Sequence, residues 1–168
     1  MWAIIVIQWC HVLLGLFWFG STLYFDIVLI PVVTTLPLEL QRAISQPLAM
    51  RADRVFIPSA LLVILLGLLR GTIWGPIKSW MFLFATAYGL TFLIAFLATV
   101  ATFAWGVFVT SRAARKLDTF PLEEVKRPCG ASALAFAAQV QRVKLFALLE
   151  LLGFLVIFTS MILMRFGL

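Results

Sequence analysis

The chain has 168 residues, 64% of them hydrophobic and 12% charged, with a mean hydropathy of +1.11 and a net charge of +6. A soluble domain is about half apolar and about a quarter charged, and a fold this small buries too little surface to hide the excess. The composition therefore excludes a soluble enzyme, and it excludes a disordered chain, which needs low hydrophobicity. The class is a polytopic membrane protein.

A spanning helix needs ~20 mostly apolar residues. In chain order, the apolar runs predict helices over residues 2–33, 55–74, 79–110 and 143–166. The first and third exceed the need of a single span, so they tilt or project into water. The first run is too long for the apolar part of a cleavable leader and lacks a basic segment before it, so it is expected to be retained. Residues 34–54 hold Pro37, Glu39, Arg42, Pro47, Arg51 and Arg54. A short interfacial helix over 37–50, opened by Pro37, suits this stretch, because proline is at home in a first helical turn. Gly75-Pro76-Ile77-Lys78 reads as a tight turn that makes the second and third helices antiparallel neighbours. After the third helix come Arg112, Arg115, Lys116, Lys126 and Arg127, then Pro128-Cys129-Gly130. The alanine-rich stretch from Ala131 is expected to run helically into the fourth span. No repeat or second domain is visible, so residues 1–168 form one all-α transmembrane four-helix bundle.

Basic residues set the expected orientation. Ten of them (Arg42, Arg51, Arg54, Arg112, Arg115, Lys116, Lys126, Arg127, Arg142 and Lys144) fall on one side, against Arg70, Lys78 and Arg165 on the other. The positive-inside rule puts the long basic loops in the cytoplasm and the N and C termini outside. Trp2, Trp74 and Trp80 then share the outer interface as an aromatic belt. The positive charge reports orientation and attraction to anionic lipid, not nucleic-acid binding. A multi-pass protein of the bacterial inner membrane is the expected setting. Cys10 and Cys129 fall on opposite sides of the membrane, which excludes an internal disulfide, and no CxxC or zinc spacing exists.

Ionisable residues inside a span cost roughly 2.5–3.5 kcal/mol each on insertion scales. Four occur here: His11, Asp26, Arg70 and Glu150. His11, Gly15, Trp18, Thr22 and Asp26 recur at spacings of three and four, a single stripe on the first helix. Glu150, Ile157, Met161 and Met164 share a face of the fourth. Tyr88, Thr91, Ala95, Thr99, Thr102 and Gly106 form a stripe of small and hydroxyl residues on the third, and such faces belong inside a bundle. At about 1.5 Å per residue, His11 and Tyr88 lie at one depth in the outer half, with Arg70 and Met161 slightly shallower. The outer half thus offers one site from His11, Tyr88, Thr91, Arg70 and Met161, with Gly15 leaving room for a flat ligand. The inner half holds Asp26 and Glu150, either as a carboxylate pair or each against an arginine such as Arg54 or Arg142.

The run from His11 through Trp18 to Gly20 resembles the first helix of the copper-resistance protein D-like membrane family, and more distantly the HemJ-type protoporphyrinogen oxidases. Leu36-Pro37-Leu38-Glu39, the stretch from Ala60 through Gly67 to Arg70, Tyr88-Gly89 and Glu150 resemble the corresponding parts of these families. In the HemJ-like proteins a first-helix histidine and a third-helix lysine are implicated in porphyrin binding. His11 matches the histidine; Ala95 stands where the lysine would be, which argues against porphyrinogen oxidation.

With the resemblance included, the leading expectation is a small membrane protein binding haem b, with His11 as axial ligand, Met161 as a candidate second ligand, and Arg70, Tyr88, Thr91, Gly15 and Trp18 around the porphyrin. Electron transfer, redox chemistry or haem and gas handling would follow. Copper handling is the alternative, since Met1, Met81, Met161 and Met164 lie on the side of Cys10 and His11 and soft ligands favour Cu(I). A non-catalytic accessory subunit is the third reading. Expected partners are the lipid bilayer and a second copy or a larger membrane complex, with no nucleic acid.

Overall fold

A computed structural model of the chain describes residues 2–125 and 130–167. Met1, Lys126, Arg127, Pro128 and Cys129, used above in weighing metal ligands and loop charge, lie outside the described residues. Four stretches are long and apolar enough to cross a bilayer: Trp2–Thr34, Leu38–Gly71, Ala87–Thr119 and Ala131–Arg165. The protein is an all-α, multi-pass membrane bundle, with no strand among the described residues.

The first span is α1 (Trp2–Tyr24), a π-helical segment over Phe25–Leu29, and α2 (Ile30–Thr34). The second is one helix, α3 (Leu38–Gly71). A short α4 (Trp80–Ala85) precedes α5 (Ala87–Trp105), which passes through a second π segment, Gly106–Thr110, into α6 (Ser111–Lys116) and a 3-10 turn. After α7 (Leu122–Val125) the chain returns through α8 (Ala131–Arg165).

Three expectations are corrected. The stretch 37–50 is not a separate interfacial helix; it is the start of α3, which runs unbroken through Pro47 and Pro58. Both prolines are exposed, so their rings point away from the bundle. Near the second, the Ser59 hydroxyl donates to Val55 O at 2.7 Å, the kind of side-chain bond that makes proline tolerable in a spanning helix. The second helix ends at Gly71, not Trp74, and the connection to the third is wider than a four-residue turn. It is closed by Trp74 N donating to Leu69 O and by the Lys78 ammonium on the carbonyls of Thr72 and Ile73. The third helix, expected as one piece from 79, is broken at Thr86, whose backbone is extended. Two caps hold the break: Ser79 Oγ accepts from Phe82 N, and Thr86 Oγ1 accepts from Gly89 N. The fourth helix starts at Ala131, and the alanine-rich stretch runs straight into the span as expected.

The helices run up and down in turn. The first and second spans pack together, as do the third and fourth. The latter pair is tied by Trp105 Nε1 donating to Phe146 O at 3.1 Å and Gln139 Nε2 to Ala113 O at 2.8 Å. Because lipid is as apolar as leucine, packing quality rather than water exclusion joins such helices. The packed centre is Trp18, Ala60, Phe154 and Ile157, with Phe19, Phe103, Phe158 and Met161 against it. Trp18 and Phe154 meet edge to face at 4.8 Å, and Phe19 meets Phe158 at 4.8 Å. Leucines 13, 62, 97 and 155 face outward, as lipid contact requires. At the end bearing most of the arginines, called here the basic end, Arg115 pairs with Asp53, and Arg42 donates to the carbonyls of Leu117 and Phe120.

Candidate functional site

Between the two helix pairs, in the half toward the basic end, lies a cavity of about 650 Å³. Its inner end is walled by Trp18, Ala60 and Phe103, and its outer end by Arg42, Arg115, Asp118 and Lys144. Every span contributes to it. Asp26 comes from the first π segment and Thr110 from the second, while Glu150 projects from the middle of α8. A π turn adds one residue to a helix and re-aims the side chains beside it, and such turns gather at functional sites. Here both border the same cavity.

Glu150 is only 9% exposed. Its Oε1 rests over Gly106, 2.8 Å from where a β-carbon would stand. Any side chain at 106 would push the carboxyl from this seat. Asp26 is close enough to act electrostatically on Glu150, and Thr110 stands beside it. Among the described residues, two buried side-chain polar atoms have no hydrogen-bond partner: Asp26 Oδ2 and Thr110 Oγ1. Both line this cavity. A buried oxygen without a partner costs ~1–3 kcal/mol, and that cost is removed when a ligand or water supplies the missing bond. Neither carboxylate is ion-paired with Arg54 or Arg142 among the described residues, and Asp26 is near enough to Glu150 for their charges to interact.

The outer-half residues are arranged differently. His11 Nδ1 lies 3.0 Å from Val63 O. A carbonyl only accepts, so Nδ1 carries the proton and the neutral ring keeps its lone pair on Nε2. The ring fills the space over Gly67, with Cε1 2.9 Å from a β-carbon built there. Arg70 Nε donates to Gln8 Oε1 at 3.1 Å and is near enough to His11 to be felt electrostatically. Gly15 has open space above it. Tyr88 packs on Phe82 with centroids 6.4 Å apart, and Thr91 Oγ1 bonds back to Ala87 O. Met161 packs against the Trp18 centre. No hydrogen bond or ring contact among the described residues joins Tyr88, Thr91 or Met161 to His11, and His11 does not line the cavity. No group of three or more His, Cys, Asp and Glu side chains suited to a metal ion occurs among the described residues.

Of the stripe read on the first helix, Trp18, Thr22 and Asp26 reach the cavity, whereas His11 belongs to the contact with α3 and Gly15 faces open space. Thr110 and Phe56 were not anticipated. Thr110 lies four residues beyond Gly106, a continuation of the small-residue stripe that carried the signal. No family model matches the chain, and no curated protein or solved structure matches it.

Proposed function

We propose that the protein is a membrane-embedded binding protein or carrier for a small solute, which enters the cavity from the basic end and is held at Asp26, Glu150 and Thr110. The observation that carries this is that Asp26 Oδ2, a buried oxygen without a hydrogen-bond partner, opens on the same cavity as the buried Glu150 carboxyl and the Thr110 hydroxyl beside it. A few convergent polar groups in a largely apolar space of ~300–1,000 Å³ are the usual make-up of a small-molecule site. The test is chemical accessibility. In a background with both cysteines replaced, Thr22→Cys should react with a membrane-impermeant thiol reagent, and Leu152→Cys on the lipid-facing surface should not. Gly106→Leu, which fills the cavity beside Glu150, should protect the Thr22→Cys thiol. An unreactive Thr22→Cys thiol would end this reading.

One observation keeps haem b at His11 as a second reading. The bond from Nδ1 to Val63 O sets the tautomer that leaves Nε2 free, which is the second-shell arrangement typical of histidines that bind metal. His11 would hold the iron and Arg70 a propionate; the group would supply one-electron chemistry. Met161, the candidate second ligand, packs against the Trp18 centre. The resemblance to the copper-resistance protein D-like family supports this reading and its copper variant alike. Protein purified with haem supplied should show a Soret band that is lost in His11→Ala. A spectrum without that band removes haem and leaves the cavity reading untouched.

A further inference from the structure

The occupant of the cavity can be narrowed by its charge and shape, an inference that rests on the cavity being a solute site. We propose that it is a lipophilic organic cation, an ammonium or phosphonium centre carrying apolar groups.

Charge comes first. Two carboxylates from facing spans share the deep part of the cavity, and among the described residues no basic side chain is bonded to either. The cavity's basic residues are elsewhere. Arg115 is paired with Asp53, and Arg42 is bonded to the carbonyls of Leu117 and Phe120. Lys144 precedes Glu150 by six residues, about 9 Å along α8. Charged groups within a membrane need a counter-charge close by, and here the protein leaves that place open. An anion would be repelled, and a neutral apolar molecule would leave Asp26 Oδ2 unbonded.

Shape and surface come second. A small inorganic dication asks for six or more oxygen ligands around a tight centre. This cavity offers a few oxygens in a large space walled by Trp18, Phe25, Phe56 and Phe103. Aromatic faces attract cations, most strongly where water is excluded. Carboxylates inside an aromatic cage suit a bulky, weakly hydrated cation and not a bare ion.

Tetraphenylphosphonium and tetraphenylborate have the same shape and opposite charge, and they make the test. Equilibrium dialysis of the detergent-solubilised full chain should show saturable binding of the phosphonium and none of the borate. Glu150→Gln should weaken phosphonium binding about tenfold or more, the worth of one good charge contact. Asp26→Asn should weaken it in the same direction, and serves if Glu150→Gln does not fold. Thermal unfolding of each variant confirms that the comparison is between folded proteins. Equal phosphonium binding by wild type and both variants would overturn the proposal, because the ion would then be partitioning into apolar surface. Binding of the borate, blocked by Gly106→Leu, would also overturn it while leaving the cavity a solute site. Loss of all binding together with an unreactive Thr22→Cys thiol would take down both readings.

Discussion

Replacing Phe154 by Ala is expected to destabilise the bundle by about 3 kcal/mol or more, the range found when a large buried side chain is cut back to a methyl group. Phe154 is 2% exposed and is the largest side chain so completely enclosed. It carries the edge of Trp18 at 4.8 Å and packs against Phe19 at 5.4 Å. In lipid the loss comes from missing packing contacts and the void left behind, since no transfer to water is involved. The effect should reach the cavity as well. Trp18 is both a member of the packed centre and a wall of the cavity, so removing its support frees it to move. A denaturant titration in mixed micelles would measure the first effect. Trp18 fluorescence, with the other tryptophans replaced by Phe, would report the second. A loss below 1 kcal/mol would show that this centre does not hold the helices together.

Gly89→Ala should be nearly as costly, about 3 kcal/mol, at the upper end of overpacking penalties. A β-carbon at this position would sit 2.4 Å from the carbonyl oxygens of Phe82 and Leu83 and 2.7 Å from Leu83 Cα. These are backbone atoms at the end of α4, and they cannot swing aside as a side chain can. The same methyl at Gly15, over which nothing lies within 4 Å, should have little effect. The difference in thermal midpoint between the two alanine variants is the measurement. Equal midpoints would mean that the break at Thr86 opens easily and does not fix how α4 meets α5.

The four spans follow from hydropathy and length, and the depth of Asp26 and Glu150 follows from counting residues along them. Trp18 and Thr22 were found by helical spacing because that stretch is regular up to Tyr24, and Asp26 falls just past it, in the first π segment. The π segments were invisible, because a single added residue leaves no mark in an all-apolar run. The long α3 was hidden by Pro47 and Pro58, which in water would end a helix; on an exposed face of a membrane helix they need not. The cavity itself depends on how two helix pairs diverge, and no periodicity reports that. His11 admits two readings. A lone intramembrane histidine drew attention as a ligand, while the structure also gives it a plain packing role over Gly67.

The length of α3 has a mechanical consequence. Its 34 residues measure ~51 Å at about 1.5 Å each, against a hydrocarbon core ~30 Å thick. With no break between the part that walls the cavity and the part beyond it, α3 is a rigid rod. A tilt of a few degrees at Phe56 or Ala60 is delivered, enlarged by distance, to the segment around Leu38. Arg42 and Asp53 ride on that same rod and grip the chain that follows α5. Movement of α3 at the cavity would therefore be felt where Arg42 and Asp53 hold that chain.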